Sequence, residues 1–151
     1  MTLTSTLALI SIAGYLICTA IKHKEIPDSI SETAYIVDKP EVFTGVMFTE
    51  ACLLMFPLLE HSSENTQWLA FLTIAGLIMV ALTPKYKTEG GIAHYIGGMI
   101  TGVASQALIA ANEPTILYSW ATYPLLYFIS KEDYTYWAEL ICLINIFIFI
   151  L

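Results

Sequence analysis

The 151 residues are 57% hydrophobic and 13% charged, with mean hydropathy +0.70 and a formal net charge of −7. That apolar share is beyond a typical soluble domain and leaves too little polar surface to face water on every side. Six lysines, no arginine and no basic stripe exclude a nucleic-acid partner.

Six apolar segments follow one another, each near the roughly 17 to 25 residues that a membrane-crossing helix needs. The first, residues 3–21, carries no charge, and no positive leader or small-residue cleavage site accompanies it, so it is expected to remain as a span. The gap at 22–38 is the longest. Its Ser29 to Glu32 spacing can cap a short helix bearing Ile30, Ala34, Tyr35 and Val37, lying on the membrane or folded over the bundle mouth. Asp28, Ser29, Ser31 and Glu32 there suit a lipid headgroup or small polar ligand, or else only cap an interfacial helix.

The second span, 39–59, opens on Asp38-Lys39-Pro40-Glu41, a capping-box spacing with proline in the first turn, and is interrupted by Glu50 and Pro57. Glu50 falls roughly 16 Å into the span. A carboxylate there must be protonated, paired or facing a wet cavity; the plainer reading is a packing bond between helices. The third span, 66–83, is uncharged and stops at Pro84. The fourth, 91–111, has a Gly98/Gly102 pair beside a second small row of Ala93, Gly97, Thr101 and Ser105, which predicts a packing hub and a homo-oligomer contact through Gly98 and Gly102. His94 and Gln106 extend the glycine row at four-residue spacing. His94 could face a pocket or bond a loop.

The fifth span, 114–130, is short and carries Pro124; Ser130 to Asp133 repeats the capping spacing before the sixth, 132–151, which contains Glu139 and Asn145. These last two could instead form a re-entrant pair. Glu139 lies about 12 Å in from the same face as Glu50, close enough to share a pocket with it or to snorkel to the interface. Thr44, Thr49, Thr101, Gln106 and Asn145 are available partners. Strand alternation is absent, so the expected fold class is all-α: one polytopic membrane domain over 1–151, a bundle of about six transmembrane helices with a short interfacial helix in the first loop.

The lysines set an orientation. Lys22, Lys24, Lys85, Lys87 and Lys131 fall in alternate gaps and Lys39 borders one, whereas the gaps at 60–65 and 111–113 hold Glu60, Glu64 and Glu113 without a lysine. The positive-inside rule then places the lysine-bearing loops in the cytoplasm and both termini outside a cell membrane. Cys18, Cys52 and Cys142 all lie inside spans, as buried thiols would, so no disulfide framework or metal cluster is expected.

Three stretches carry a resemblance. Ile26-Pro27-Asp28-Ser29-Ile30-Ser31, the third span ending Gly76-Leu77-Ile78-Met79-Val80-Ala81-Leu82-Thr83-Pro84, and His94-Tyr95-Ile96-Gly97 opening the fourth resemble a family of small bacterial six-span membrane proteins. That family is similar to the damage-regulated autophagy modulators and to the membrane proteins that remodel GPI-anchor lipids. The resemblance, over about residues 1–130, implies a six-helix bundle linked to membrane lipids, without an agreed catalytic set. The chain is shorter than typical members. The resemblance also places the proline-serine loop outside, contrary to the lysine count.

No Gly-rich phosphate loop, HExxH helix, CxxC pair or GxSxG elbow is present, which favours a non-enzymatic protein with no cofactor and membrane lipids as partners. The expected ligand-binding set is Glu50, His94, Glu139, Asp28, Ser29, Ser31, Glu32, Gln106 and Asn145. A proton- or ion-coupled transporter built on Glu50 is the alternative. A metal-dependent intramembrane hydrolase is the third; its three-histidine form fails because His61 falls on the opposite face, about 30 Å from His23 and His94, which leaves those two with Asp28.

Overall fold

Thr2 starts the first helix: its Oγ1 accepts the Ser5 N–H at 3.1 Å, supplying one of the acceptors a helix start lacks. In the computed structural model, which describes residues 2–37, 39–129 and 133–151, α1 runs Leu3–His23 and closes on Lys24, whose left-handed backbone (φ 65°) sends its N–H to Ala20 O at 3.0 Å. The one-turn helix α2 (Thr33–Ile36) follows, then α3 (Pro40–His61), α4 (Gln67–Leu82) and α5 (Gly91–Asn112). A 3-10 helix (Pro114–Thr122), α6 (Tyr123–Ile129) and α7 (Tyr134–Ile150) complete the chain. Among the described residues there is no strand, so the all-α expectation holds. Pro40 is the first residue of α3. Asp38 and Ser130, on which two expected helix starts rest, lie with Lys131 outside the described residues.

The expected fifth span is wound differently from a plain α-helix. Pro124 brings no N–H for the carbonyl four residues before it and its ring crowds that carbonyl, so Trp120 O accepts the Tyr123 N–H instead, three residues on. The looser rise lengthens this short segment to about 28 Å in all.

Contacts at the chain reversals sort them into two ends. Asn112 Oδ1 accepts the Ser63 N–H at 3.0 Å, and the His61 ring packs against Phe149 with centroids 6.1 Å apart, so the α3–α4 turn, the end of α5 and the end of α7 lie together. At the other end Tyr35 Oη accepts the Lys87 N–H at 2.8 Å, and the Tyr136 N–H bonds Asp28 O at 3.0 Å. The first loop, the 83–90 turn and the start of α7 therefore share that end. Successive segments run in alternate directions between these ends, and the 3-10 helix with α6 carries the chain from one to the other.

Helix α4 packs on α5 through the second small row. A Cβ on Gly76 would stand 2.6 Å from Gly97 O and Thr101 Oγ1, and one on Gly97 would stand 2.7 Å from Met79 Cβ. Gly98 has nothing within 4 Å of its would-be Cβ. Tight packing thus uses Gly76, Gly97 and Thr101 and leaves Gly98 on the outer surface.

The helices present large apolar side chains outward, and several polar side chains lie inside a mainly apolar core. Ile10, Ile17, Phe48, Phe56, Phe71, Met99 and Val103 are exposed, while Ser5, Glu50, Thr73, His94, Ser105 and Asn145 are buried. In water so much exposed apolar surface would be unfavourable; in hydrocarbon it is expected. Helices α1, α3 and α5 are long and apolar enough to cross a membrane.

Candidate functional site

The polar groups of the expected site fall into four separate places. The first is a cap over the lysine-bearing end. Ser29 Oγ accepts the Glu32 N–H at 3.1 Å and Glu32 Oε2 accepts the Asp28 N–H at 3.0 Å, a reciprocal arrangement like a capping box. Ile30 and Ala34 then turn inward and are buried. Of the two sites open to the short helix, it takes the bundle mouth.

Three elements hold this cap. Glu139 Oε2 on α7 accepts the Ile30 N–H at 2.6 Å, and the Ser31 N–H also reaches that carboxyl. The Tyr15 hydroxyl on α1 pairs with Thr33 Oγ1 at 2.8 Å. Lys87 pairs with Glu32 and lies 5.1 Å from the Tyr35 ring centroid. Glu139 is therefore engaged with backbone donors of the first loop. Lys87 and Tyr35 were not in the expected set; a tyrosine in a capped loop and a lysine in the adjoining lysine-side turn were their only signals.

Burial opposes ionisation of Glu32, but hydrogen bonds from Lys87 and the Asp28 N–H, with the charge of Lys87, outweigh it and hold the carboxyl below its ordinary 4.5. A lowered acid pKa stabilises the closed cap above that ordinary value, and the contribution is lost as pH falls through the folded value. Amide exchange over residues 30–37 should therefore accelerate beyond its intrinsic pH trend between about pH 5 and pH 3. Lys87 is half exposed, so the effect should stay below about 1 kcal/mol. Lys87→Ala should remove it; identical profiles in the two proteins would rule the clasp out.

The second place is a partly buried network around the buried Asn145. Gln106 Oε1 accepts from Asn145 Nδ2 at 2.8 Å and from Trp120 Nε1 at 3.0 Å, while Asn145 Oδ1 accepts from Ser119 Oγ at 2.6 Å. Gln106 and Asn145 are thus brought together, and they fasten the 3-10 segment to α5 and α7. Trp120 gave the signal of an indole donor that seeks an acceptor once it leaves water; Ser119 gave no signal.

His94 is the third. Its Nδ1–H donates to Thr83 O at 2.9 Å and its ring stacks on Tyr86 with centroids 4.2 Å apart, so it satisfies the end of α4, as the loop-bonding alternative expected.

Glu50 is the fourth. It sits in the inward stripe Phe43, Met47, Glu50, Ala51, Leu54, Pro57, Leu58 of α3, 2% exposed. Ser11 of α1 approaches it without reaching hydrogen-bond geometry, and neither carboxyl oxygen has a partner.

Two cavities adjoin α1. An open concavity of about 720 Å³ at the lysine-bearing end is lined by Lys22, His23, Glu25, Asp28, Glu32 and Asp133, with Ile26, Pro27, Tyr35 and Ile36 between them. A groove of about 260 Å³, almost wholly apolar, lies between Leu9, Ile12, Ala13 and Leu16 of α1 and Leu140, Leu143, Ile144, Phe147, Ile148 and Leu151 of α7. Asp28 and Glu32 line the concavity; Glu50, His94 and Glu139 line neither cavity. Among the described residues no three His, Cys, Asp or Glu side chains come together as a metal site. His23 lines the concavity, while His94 Nδ1 is engaged with Thr83.

No family model, curated protein or solved structure matches the chain, so function rests on this geometry.

Proposed function

We propose that this chain is a six-span integral membrane protein of the cell membrane, lipid-associated rather than enzymatic, with its capped end in the cytoplasm and both termini outside. The observation that carries the reading is the apolar groove between α1 and α7, which in a bilayer opens to hydrocarbon. In a bilayer such a groove is filled by an acyl chain, because a void lined by leucine and isoleucine forfeits dispersion contacts on one side. The lysine-bearing gaps, which meet at one end, support the orientation. The exposed Gly98 is suited to close approach by a second copy, and a kinship with six-span lipid-linked families belongs to the same proposal.

Ala13 is a small residue of the groove wall, and Ala13→Trp fills the groove from α1 without touching the cap. Native mass spectrometry of protein extracted in mild detergent should show bound phospholipid, reduced at least about tenfold in this variant. Lipid-free native protein, or full lipid retention by a folded Ala13→Trp variant, would overturn the reading.

A second reading rests on Glu50. A fully buried carboxyl without a partner at mid-helix is the kind of group that proton-coupled carriers use.

A further inference from the structure

The inward stripe of α3 divides at Glu50. Toward the α3–α4 turn it continues as Leu54, Pro57 and Leu58, all fully buried. Toward the lysine-bearing end it runs through Met47 to Phe43, about 10 Å away. Above Phe43 the first loop closes the bundle with its buried Ile30, Thr33 and Ala34, and Ile30, Ala34 and Phe43 belong to one core.

The two closures differ in kind. Leu54, Pro57 and Leu58 are held by apolar packing within long helices. The first loop carries a helix of one turn, too short to stand alone, fastened by hydrogen bonds to α1, to α7 and to the 83–90 turn. A segment held this way opens at lower free energy than packed helices do.

Tyr15 joins the loop to the seam beneath it. Its hydroxyl pairs with Thr33 Oγ1 at 2.8 Å, and its ring lies against Phe43 with centroids 6.5 Å apart. One turn further along α1, on the same side, stands Ser11, the side chain that approaches Glu50. Glu50 is 2% exposed, and neither carboxyl oxygen has a partner among the described residues. No second charge among those residues is set against it. Tyr15 is bonded to Thr33, Tyr35 to the Lys87 N–H and Glu139 to the Ile30 N–H, and α4 carries no ionisable side chain. An acid so placed has a proton to exchange, and exchange needs water to arrive from one end.

We propose that the first loop is a gate that shuts the lysine-bearing end of the bundle over Glu50, with the Tyr15–Thr33 bond as its latch, so that Glu50 exchanges its proton with that end alone. This rests on the Glu50 reading above and adds the side of access. Releasing Thr33 frees Tyr15 and uncovers Phe43 together. The way to Glu50 then passes Met47, an unbranched side chain that shifts readily.

The test uses the full-length protein in mild detergent and a water-soluble carbodiimide with an amine nucleophile, labelling of Glu50 being read by peptide mass spectrometry. Native protein should label slowly. Tyr15→Phe and, separately, Thr33→Val each remove a latch hydroxyl and should raise the rate about fivefold or more, as one hydrogen bond lost from the closed state predicts. Thr33→Val leaves the long helices untouched, so the test survives a Tyr15→Phe protein that does not fold. Asn112→Ala, which removes the bond to the Ser63 N–H at the opposite end, should leave the rate unchanged. A hydrophobic carbodiimide, arriving through the apolar phase, should label native protein and latch variants alike. Unchanged labelling in both latch variants, or fast labelling of native protein, would refute the gate. A rise in Asn112→Ala would put access at the other end and refute it too. An equal rise with the hydrophobic reagent would mean general loosening and refute the latch. Flux separates the two ideas: its absence in native protein removes the transport reading, while the labelling pattern decides the gate.

Discussion

Gly76→Ala should destabilise the fold by about 3 kcal/mol or more, although it adds one methyl group. The new Cβ would stand 2.6 Å from Gly97 O, 2.6 Å from Thr101 Oγ1 and 2.7 Å from Thr101 N. Two of these are backbone atoms of α5, which cannot rotate aside as a side chain would. Relief requires α4 to move off α5, and Thr101 Oγ1, which donates to Gly97 O at 2.9 Å, is disturbed with it. Gly98→Ala is the matched control on the facing helix α5: nothing lies within 4 Å, so the change should not destabilise and should add up to about 1 kcal/mol through helix propensity. Thermal unfolding in detergent, followed by circular dichroism, measures both. Equal midpoints for the two variants would show that the α4–α5 contact is looser than described.

Glu50→Lys should abolish recovery of folded protein, whereas Glu50→Gln should fold. Lysine would place an ammonium in an interior stripe of phenylalanine, methionine and leucine where neither carboxyl oxygen now has a partner. An unpaired charge at such depth costs at least about 3 kcal/mol, comparable with a large part of the stability of a small domain. Glutamine keeps the shape and an acceptor oxygen without a charge. Size-exclusion profiles and helical content after extraction separate the outcomes, and a native-like Glu50→Lys protein would mean that water reaches the position. The same pair decides the transport reading: pH-driven flux in liposomes should be present in the native protein and lost in Glu50→Gln, and no flux in the native protein removes it.

Much of the architecture was legible because its causes are local. Pro40 at the first position of α3, the stop at Pro84 and the cap built on Ser29 and Glu32 follow from which backbone donors and acceptors lack partners. The 3-10 winding before Pro124 follows from proline's missing N–H, yet its extent depends on Trp120 and Ser119 finding Gln106 and Asn145, which are distant in sequence. The expected pocket joined Glu50 and Glu139 by depth, and His94 by its row with Gly98, Gly102 and Gln106. Depth fixes position along a helix and leaves the direction of the side chain open. Glu139 turns to the first loop, His94 to the end of α4 and Glu50 to the interior near α1.

The amino-acid order by itself determined an apolar, helical chain with its cations in alternate gaps, because hydropathy and helix-end chemistry are read over windows of a few turns. Tertiary structure decided which faces met. Both small-residue rows of α5 were visible, but only packing chose Gly97 and Thr101 over Gly98, since the choice depends on Gly76 standing opposite. The groove arose in the same way, from the separation of α1 and α7, which lie more than a hundred residues apart and have no local signal for the space between them.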